Sequence, residues 1–221
     1  AVAKSLQKRP ESIINAKQQP TKPKLSSTAY DAPLMMAPIA VEAAAANVDM
    51  AAALIMCSAE RAQALGIPTE RWVFPQAGTD CHEHPLVSER DRLDEVPAVA
   101  AGASLALELA GTHLDEIDLI DLYSCFPSAV QLGARAMGLD PYDAGRHLTL
   151  TGGLAFMGGP WNNYVMHAIA AAVDALREGG ERALVWANGG YVTKHSFGIY
   201  AGHPSATGFR RGSPQADIDA L

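Results

Sequence analysis

The sequence predicts a layered α/β fold, because segments typical of strands alternate with segments typical of helices. Residues 117–123 are apolar and partly alternating, which indicates a strand, and residues 127–137 then have a helical pattern that ends at Gly138. A helix from Asn163 has Val165, Ile169, Ala172 and Leu176 on one face, and residues 183–187 follow as an apolar strand. Ligands of such folds usually lie at the ends of the strands.

The remaining segments predict further elements in the same alternation. Residues 51–58 resemble a buried strand, although their alanines suit a helix equally well, and Ser58 caps a helix over 59–65. A strand over 67–77, a polar loop over 78–94 and a helix over 98–110 come next. Residues 148–151 are a short strand, and residues 197–201 are expected to pair antiparallel with 183–187.

Composition limits the classes of function. The chain has 221 residues, 48% of them hydrophobic, and a net charge of −7, so it can form a real core of one or two domains. The negative charge argues against nucleic-acid binding, which relies on clustered Lys and Arg. We expect no membrane span and no signal peptide, and therefore a cytoplasmic protein. Three widely spaced cysteines fit reduced thiols rather than a disulfide framework.

The two ends of the chain differ from its middle. The first 30 or so residues are basic and interrupted by prolines, which predicts a short helix at most and then an exposed loop. The chain begins without Met, which we interpret as a fragment. Residues 206–221 are expected to form a flexible tail.

The most informative motif is the glycine-rich segment 152–164, which leads into an apolar helix. Two glycine pairs, Gly152-Gly153 and Gly158-Gly159, flank four apolar residues. Glycine permits left-handed backbone and close approach, and a helix N-terminus presents unpaired N–H groups to an anion or a carbonyl. A tight connection without a ligand would use the same residues, so both interpretations stay open.

A second motif, Tyr123-Ser124-Cys125-Phe126-Pro127, joins a strand to a helix. A thiol at this place would feel the helix dipole, which predicts a lowered pKa and a reactive Cys125. Unpaired cysteines are also often inert core residues, and the Tyr123 hydroxyl can be either a proton-transfer group or a satisfied core hydroxyl.

Two more clusters could line a site. Cys81-His82-Glu83-His84 lacks a matching second pair of ligands, so we expect no zinc there, and His82 and His84 line either a pocket or a solvated loop. The segment 188–195, from Asn188-Gly189-Gly190 through Tyr191 to His195, follows a strand. Its glycines allow an oxyanion hole, and Asn-Gly also favours a hairpin turn.

Taken in order, these segments resemble the C-terminal half of the thiolase superfamily, especially its sterol-carrier-protein thiolase and lipid-transfer-like branch. The resemblance covers about residues 38–201. Asp49-Met50-Ala51-Ala52-Ala53 is similar to the family's Asp-Gly-Ala-Ala-Ala, and Tyr123-Ser124-Cys125-Phe126 to its Asn-Glu-Ala-Phe or His-Asp-Cys-Phe motif. Gly158-Gly159-Pro160 falls at Gly-His-Pro, and Ala187-Asn188-Gly189-Gly190 at Cys-x-Gly-Gly.

The resemblance implies a mixed five-stranded sheet covered by helices over residues 38–205, with residues 1–37 as a loop-domain remnant or linker. It also implies that a nucleophilic cysteine belongs to an N-terminal half that this chain lacks. Gly159 stands where the family has its activating His, and Ala187 stands where it has its second Cys. Ordinary thiolase chemistry is therefore not expected, and the isolated chain is expected to be inactive.

The implied function is the handling of acyl-CoA or lipid-type thioesters in lipid or steroid metabolism, with coenzyme A as part of the substrate and no covalently bound cofactor. Candidate catalytic residues are Tyr123, Cys125, Tyr191 and His195. Candidate CoA-binding residues are Gly158, Gly159, Asn188, Gly189, His82 and His84. Acyl transfer or retro-aldol cleavage, a noncatalytic CoA- or lipid-binding module, and a structural subunit all remain open. An OB-fold/zinc-ribbon partner and a homo-oligomer are expected from the same resemblance.

Overall fold

A mixed five-stranded sheet forms the centre of the computed structural model, which describes residues 48–221. Its strands are β1 (Phe74–His82), β2 (Leu119–Leu122), β3 (Arg182–Gly189), β4 (Lys194–Ala201) and β5 (Arg210–Gly212). They lie in the order β2-β3-β4-β1-β5. The pairs β2/β3 and β1/β5 are parallel, whereas β3/β4 and β1/β4 are antiparallel. The predicted α/β class and mixed five-stranded sheet are confirmed.

Helices cover the two faces of this sheet. They are α1 (Ala59–Ala64), α2 (Pro97–Ala110), α3 (Pro127–Ala136), α4 (Leu154–Met157), α5 (Tyr164–Arg177) and α6 (Gln215–Ile218). Short 3-10 turns span Thr69–Arg71, Val87–Glu89, Leu114–Glu116 and Trp161–Asn163. Within residues 48–221, none of these helices has the length and apolar character needed to cross a bilayer.

The core is divided by the sheet into two parts. On one face, α2 and α3 pack on Ile120, Leu184, Trp186, Phe197 and Ile199. On the other face, the stripe Tyr164, Ala168, Ala172 and Leu176 of α5 packs on Ala183 and Val185. Alternate residues of one strand therefore supply both cores, as the pleat of a strand requires. This arrangement leaves the carboxyl ends of β2 and β3 side by side.

The predicted helices are found within one or two residues of their expected ends. Ser58 caps α1 by accepting the N–H of Arg61 at 3.2 Å, and Pro97 is the first residue of α2 rather than the residue that precedes it. Helix α2 ends at Gly111, whose φ of 67° is the left-handed C-cap conformation. The antiparallel pairing of β4 with β3 is also confirmed.

Two predicted strands and one predicted loop are wrong, and the strand predicted over 67–77 begins only at Phe74. Residues 51–58 do not form a strand: Ile55 and Met56 are exposed, and only Ala51 makes an isolated bridge. Residues 78–82 are strand rather than polar loop, because Ala77, Thr79 and Cys81 alternate into the core. Residues 148–151 are not a strand, since a buried carboxylate rather than a strand partner accepts their N–H groups.

Regular structure extends into the range predicted to be a flexible tail. Strand β5 adds to the edge of β1, and Ile218 of α6 is buried. Arg211 also pairs with Asp80 of β1 at 2.8 Å. The predicted loop-domain remnant, residues 1–37, lies outside the described residues.

Candidate active site

Two neighbouring parallel strands end at the same edge of the sheet and bring two of the motifs together. Leu122, the last residue of β2, is in register with Trp186 of β3. The segment 123–126 therefore follows β2 beside the end of β3, which contains Asn188 and Gly189. The carboxyl end of parallel strands is the usual place for a site in an α/β fold.

Cys125 and Asn188 are in direct contact at this edge. The Nδ2 of Asn188 donates to the Sγ of Cys125 at 3.6 Å. Burial raises the pKa of the Cys125 thiol to about 11, although the Asn188 donor and the backbone N–H of Phe126 act in the opposite direction. The predicted fall in the pKa of Cys125 is wrong, because loss of water outweighs the dipole of the following helix. At neutral pH the group is a thiol.

The glycine-rich segment is attached to the end of β2. The Ser124 hydroxyl accepts the backbone N–H of Leu154, the first residue of α4, at 3.0 Å. Gly153, with φ of 81°, lies against the same side chain, and a Cβ at that position would be 2.7 Å from the Ser124 Oγ. Only glycine fits this turn without displacing Ser124.

A buried carboxylate, which the sequence analysis did not single out, organises the loop before the glycines. Asp121 of β2 is fully buried, and its Oδ2 accepts the N–H of Leu150 at 2.8 Å and the Thr149 hydroxyl at 3.1 Å. Its Oδ1 accepts the Tyr164 hydroxyl at 3.2 Å. Burial raises the pKa of Asp121, and these donors oppose that rise. An acidic residue in an apolar strand was the available sequence clue.

Tyr123 packs against this network. Its ring meets the ring of Tyr164 edge to face, with centroids 5.2 Å apart. Burial raises the pKa of Tyr123, with a further contribution from Cys125, and burial and Asp121 raise the pKa of Tyr164. Both phenols are therefore neutral near pH 7 and can donate a hydrogen bond or a proton.

Gly158 and Gly159 are buried where the segment turns towards α5. Gly158 has φ of 109°, and a Cβ there would be 2.7 Å from the Met50 sulfur. The Gly159 carbonyl accepts the N–H of Trp161 at 2.8 Å across Pro160, which closes a tight turn. Trp161 is 76% exposed and has a left-handed φ of 50°. The 3-10 turn Trp161–Asn163 separates the glycines from α5.

Arg90 holds the loop between β3 and β4 in place by hydrogen bonds. The guanidinium donates to the Tyr191 carbonyl and to the Thr193 hydroxyl, both at 2.8 Å, and to the His84 carbonyl at 3.2 Å. Val192 in the loop is buried and has a left-handed φ of 51°, which is unfavourable for a β-branched residue. The Tyr191 side chain is 75% exposed. The predicted hairpin is present, but its turn is residues 190–193, and Asn188 and Gly189 are the last two residues of β3.

The two histidines of the Cys81 cluster lie at the end of β1 and just beyond it. His82 is exposed at the end of β1, and its Nδ1 contacts the Glu83 carbonyl at 3.0 Å. His84 lines a cavity of about 300 Å³ together with Arg90 and Glu95. Glu83 caps α2 by accepting the N–H of Ala98 at 2.7 Å. Across the part of the chain that the structure describes, no three His, Cys, Asp or Glu side chains form a metal-binding group.

His195 is a buried residue of β4, and its side chain lies on the face of the sheet that α2 and α3 cover. It is 3% exposed, stacks on Trp186 with centroids 5.8 Å apart, and accepts the indole N–H on Nδ1 at 3.3 Å. Burial, with Arg90 and His82 adding to it, lowers the pKa of His195 to about 4 against a weaker opposing effect of the Val192 carbonyl. The ring is neutral at physiological pH.

The structure therefore sorts the candidate residues into groups. Cys125 and Asn188 are in contact at one edge, and Ser124 links this segment to the glycine-rich segment. Tyr123 lies two residues before Cys125 and packs on Tyr164. Tyr191 lies on the hairpin loop, joined to His84 through Arg90. His195 is directly opposite Asn188 in the β3/β4 register.

Among solved structures, the crystal structure of a monomeric SCP2-thiolase like protein type 1 from Mycobacterium smegmatis matches 81% of this chain. The identity is 42% and the TM-score is 0.73. The chain belongs to the SCP2-thiolase-like branch of the thiolase superfamily. This thiolase-superfamily chain spans 40% of the length of the mycobacterial protein.

A second structure shows the same fold at greater distance. The human mitochondrial 3-ketoacyl-CoA thiolase matches 72% of this thiolase-like chain, with 21% identity, a TM-score of 0.57 and 38% of its own length covered. No protein-family model and no curated protein matches the chain. The family resemblance inferred from the motifs is confirmed.

Proposed function

We propose that this chain is the C-terminal half of a thiolase-superfamily protein that handles acyl-CoA or lipid-type thioesters in lipid or steroid metabolism. The supporting observation is the meeting of three segments at one edge of the sheet. Asn188 contacts Cys125, and Leu154 of the glycine-rich segment contacts Ser124. These are the segments that the family motifs align with the parts of a thiolase that surround the thioester.

Different chemistry from ordinary thiolysis follows from the residues at two aligned positions. Gly159 replaces the activating His and Ala187 replaces the second Cys, and neither side chain can transfer a proton. Cys125 cannot take over as a ready nucleophile, because burial raises its pKa to about 11. We therefore favour a reaction of the bound thioester that needs proton donors more than a thiolate.

Retro-aldol cleavage of a β-hydroxyacyl-CoA meets this requirement. A base takes the proton of the β-hydroxyl, the bond between Cα and Cβ breaks to give a carbonyl compound, and the thioester enolate takes up a proton. Tyr123, which is neutral, half-buried and two residues before Cys125, can donate that proton or hydrogen-bond the enolate oxygen. Tyr191 lies on the loop between β3 and β4, and its side chain is largely exposed.

The proposal also includes the residues that would bind CoA and the partners of the protein. Gly158, Gly159, Asn188 and Gly189 would line the CoA thioester, and His82 and His84 would lie further out on the loop held by Arg90. An OB-fold/zinc-ribbon protein and a second copy of the chain are proposed as partners on the family resemblance. A cytoplasmic location is proposed on the sequence composition alone. The mycobacterial relative is described as monomeric, so a homo-oligomer has to be tested separately.

A noncatalytic CoA- or lipid-binding module is the second candidate. The observation in its favour is that the groups at the edge are protonated and buried: the pKa values of Cys125, Tyr123 and Tyr164 are all raised. Such an edge can bind a thioester without transferring a proton. A structural subunit of a thiolase-like complex would have the same geometry without binding CoA.

One set of measurements separates these functions. The full-length protein is titrated calorimetrically with CoA and with a β-hydroxyacyl-CoA, alone and with an OB-fold partner, and the release of ketone or aldehyde product is followed. Binding with product release supports the enzyme, and binding without it supports the module. Absence of both, together with co-purification of the OB-fold protein, supports a structural subunit and contradicts the proposed function.

A further inference from the structure

Two residues that are paired across β3 and β4 each have a buried polar atom without a hydrogen-bond partner, and one of these residues contacts Cys125. Asn188 of β3 and His195 of β4 are directly opposite in the antiparallel register. Side chains at such positions lie on the same face of a sheet, with Cβ atoms about 5 Å apart. The Oδ1 of Asn188 and the Nε2 of His195 are both buried and form no hydrogen bond within the described residues. Buried polar atoms without a partner are rare and costly.

The protonation of the His195 ring follows from its neighbour. The indole Nε1 of Trp186 can only donate, and it donates to His195 Nδ1 at 3.3 Å. Nδ1 is therefore unprotonated, and the neutral ring has its hydrogen on Nε2. The Val192 carbonyl raises the pKa of the ring but makes no hydrogen bond to Nε2. That N–H is a donor, whereas Asn188 Oδ1 is an acceptor. Each atom supplies what the other needs, and one water molecule between them would satisfy both.

The orientation of the Asn188 amide decides whether its nitrogen or its oxygen faces Cys125. The nitrogen and oxygen of an amide have the same shape, so hydrogen-bond partners decide which one faces a given neighbour. Here Nδ2 faces the Sγ of Cys125 at 3.6 Å. A rotation of the amide by a half turn would place Oδ1 there instead. A donor on the opposite side of the amide favours the observed orientation.

We propose that His195 is a positioning residue: through a bridging water molecule it fixes the Asn188 amide so that an N–H, and not the carbonyl oxygen, faces Cys125 and the site beside it. Asn188 can then offer its donor to the thiol or to an oxygen of a bound substrate. His195 itself does not touch substrate, in contrast to the catalytic role expected from the sequence. The inference concerns the site of the proposed function, but its test uses no substrate, so the two can fail separately.

The test measures the apparent pKa of the Cys125 thiol from the pH dependence of its alkylation by iodoacetamide. The full-length protein is used in a Cys57→Ser background, because Cys57 is exposed, and modification is read peptide by peptide by mass spectrometry. His195→Leu removes the donor, and alkylation of Cys125 below its pKa is expected to slow by about threefold to tenfold. His195→Gln retains an N–H donor and is expected to stay near wild type.

Two further measurements separate positioning from packing. In an Asn188→Ala background, His195→Leu is expected to leave the thiol pKa of Cys125 unchanged, because the effect passes through Asn188. In the wild-type protein, ¹⁵N NMR is expected to find His195 protonated on Nε2 between about pH 5 and 8, which needs no variant to fold. An unchanged Cys125 pKa in a folded His195→Leu protein, or an Nδ1–H ring, would overturn the proposal.

Discussion

The backbone N–H of Leu154 donates to the hydroxyl of Ser124 at 3.0 Å, so the glycine-rich segment is fastened to the end of β2 through one side chain. Leu154 is buried and begins α4, whose first N–H groups have no partner within the helix. Ser124 therefore supplies a helix cap from a distant part of the chain. The bond fixes where the two glycine pairs lie relative to Cys125, the next residue along.

Replacing Ser124 with Ala is expected to lower the free energy of unfolding by about 1–2 kcal/mol, because a buried N–H loses its acceptor. Urea unfolding measures the change. Ser196→Ala is the matched control: Ser196 is exposed on β4, and its replacement is expected to cost less than about 0.5 kcal/mol. Equal costs for the two variants would contradict the capping role.

Local pattern predicted those elements whose partners are close in sequence. The helices α2, α3 and α5 have apolar stripes and glycines soon after their ends, and α2 and α3 also begin at a proline. These features act within the helix itself. Residues 51–58 have an apolar composition, but within the described residues they form only the isolated bridge at Ala51, and Ile55 is exposed. A strand depends on a neighbour far away in sequence, which composition does not reveal.

The site was predicted as a set of motifs but not as an arrangement. Cys125 and Asn188 do come into contact, because the parallel strands β2 and β3 end at one edge. The pKa of Cys125 was predicted to fall but is raised, since the burial of the thiol depends on the whole fold. Asp121 was overlooked for the same reason: its partners are hydroxyl and N–H groups about 30 residues further along the chain.

Gly133 of α3 lies against Trp186, and this contact is a sharp test of the packing between α3 and the sheet. A Cβ at position 133 would be 2.4 Å from the indole ring, which is fully buried and cannot move away freely. Gly133→Ala is expected to destabilise the protein by about 1–3 kcal/mol, despite the better helix propensity of Ala. Thermal unfolding followed by circular dichroism measures the change.

Gly202→Ala is the control for this prediction. Nothing lies within 4 Å of a Cβ at position 202, and its backbone is outside the left-handed region. Its stability is expected to stay within about 0.5 kcal/mol of wild type. A stable Gly133→Ala protein would mean that α3 lies further from β3 than described.

Removal of the hydroxyl group of Tyr123 or of Tyr191 tests the proposed role of these residues in turnover. Tyr191→Phe should leave the free energy of unfolding within about 0.5 kcal/mol, because its side chain is largely exposed. If the proposed aldol chemistry is correct, Tyr123→Phe should lower turnover on the order of a hundredfold, the usual contribution of a proton donor. Tyr191→Phe is expected to lower turnover as well. Wild-type rates in both variants would remove the tyrosines from the reaction.

His195 is expected to make the protein lose stability in acid. Its pKa is about 4 in the folded state, because the buried ring is hard to charge, against 6.5 for an ordinary histidine. The unfolded chain therefore binds the proton more readily. The resulting stability is present above pH 6.5 and is lost as the pH falls from 6.5 towards 4.

Urea unfolding of wild type and His195→Gln at several pH values between these limits tests this expectation. As the pH falls from 6.5 to 4, the free energy of unfolding of wild type should fall by roughly 3 kcal/mol more than that of the variant. Each unit of difference between the folded and unfolded pKa corresponds to about 1.4 kcal/mol. Asp121 acts in the opposite direction, because a raised carboxyl pKa gives stability that is lost as pH rises. That contribution is common to both proteins and cancels in the difference. Parallel pH profiles for the two proteins would show that the His195 ring is not held neutral by the fold.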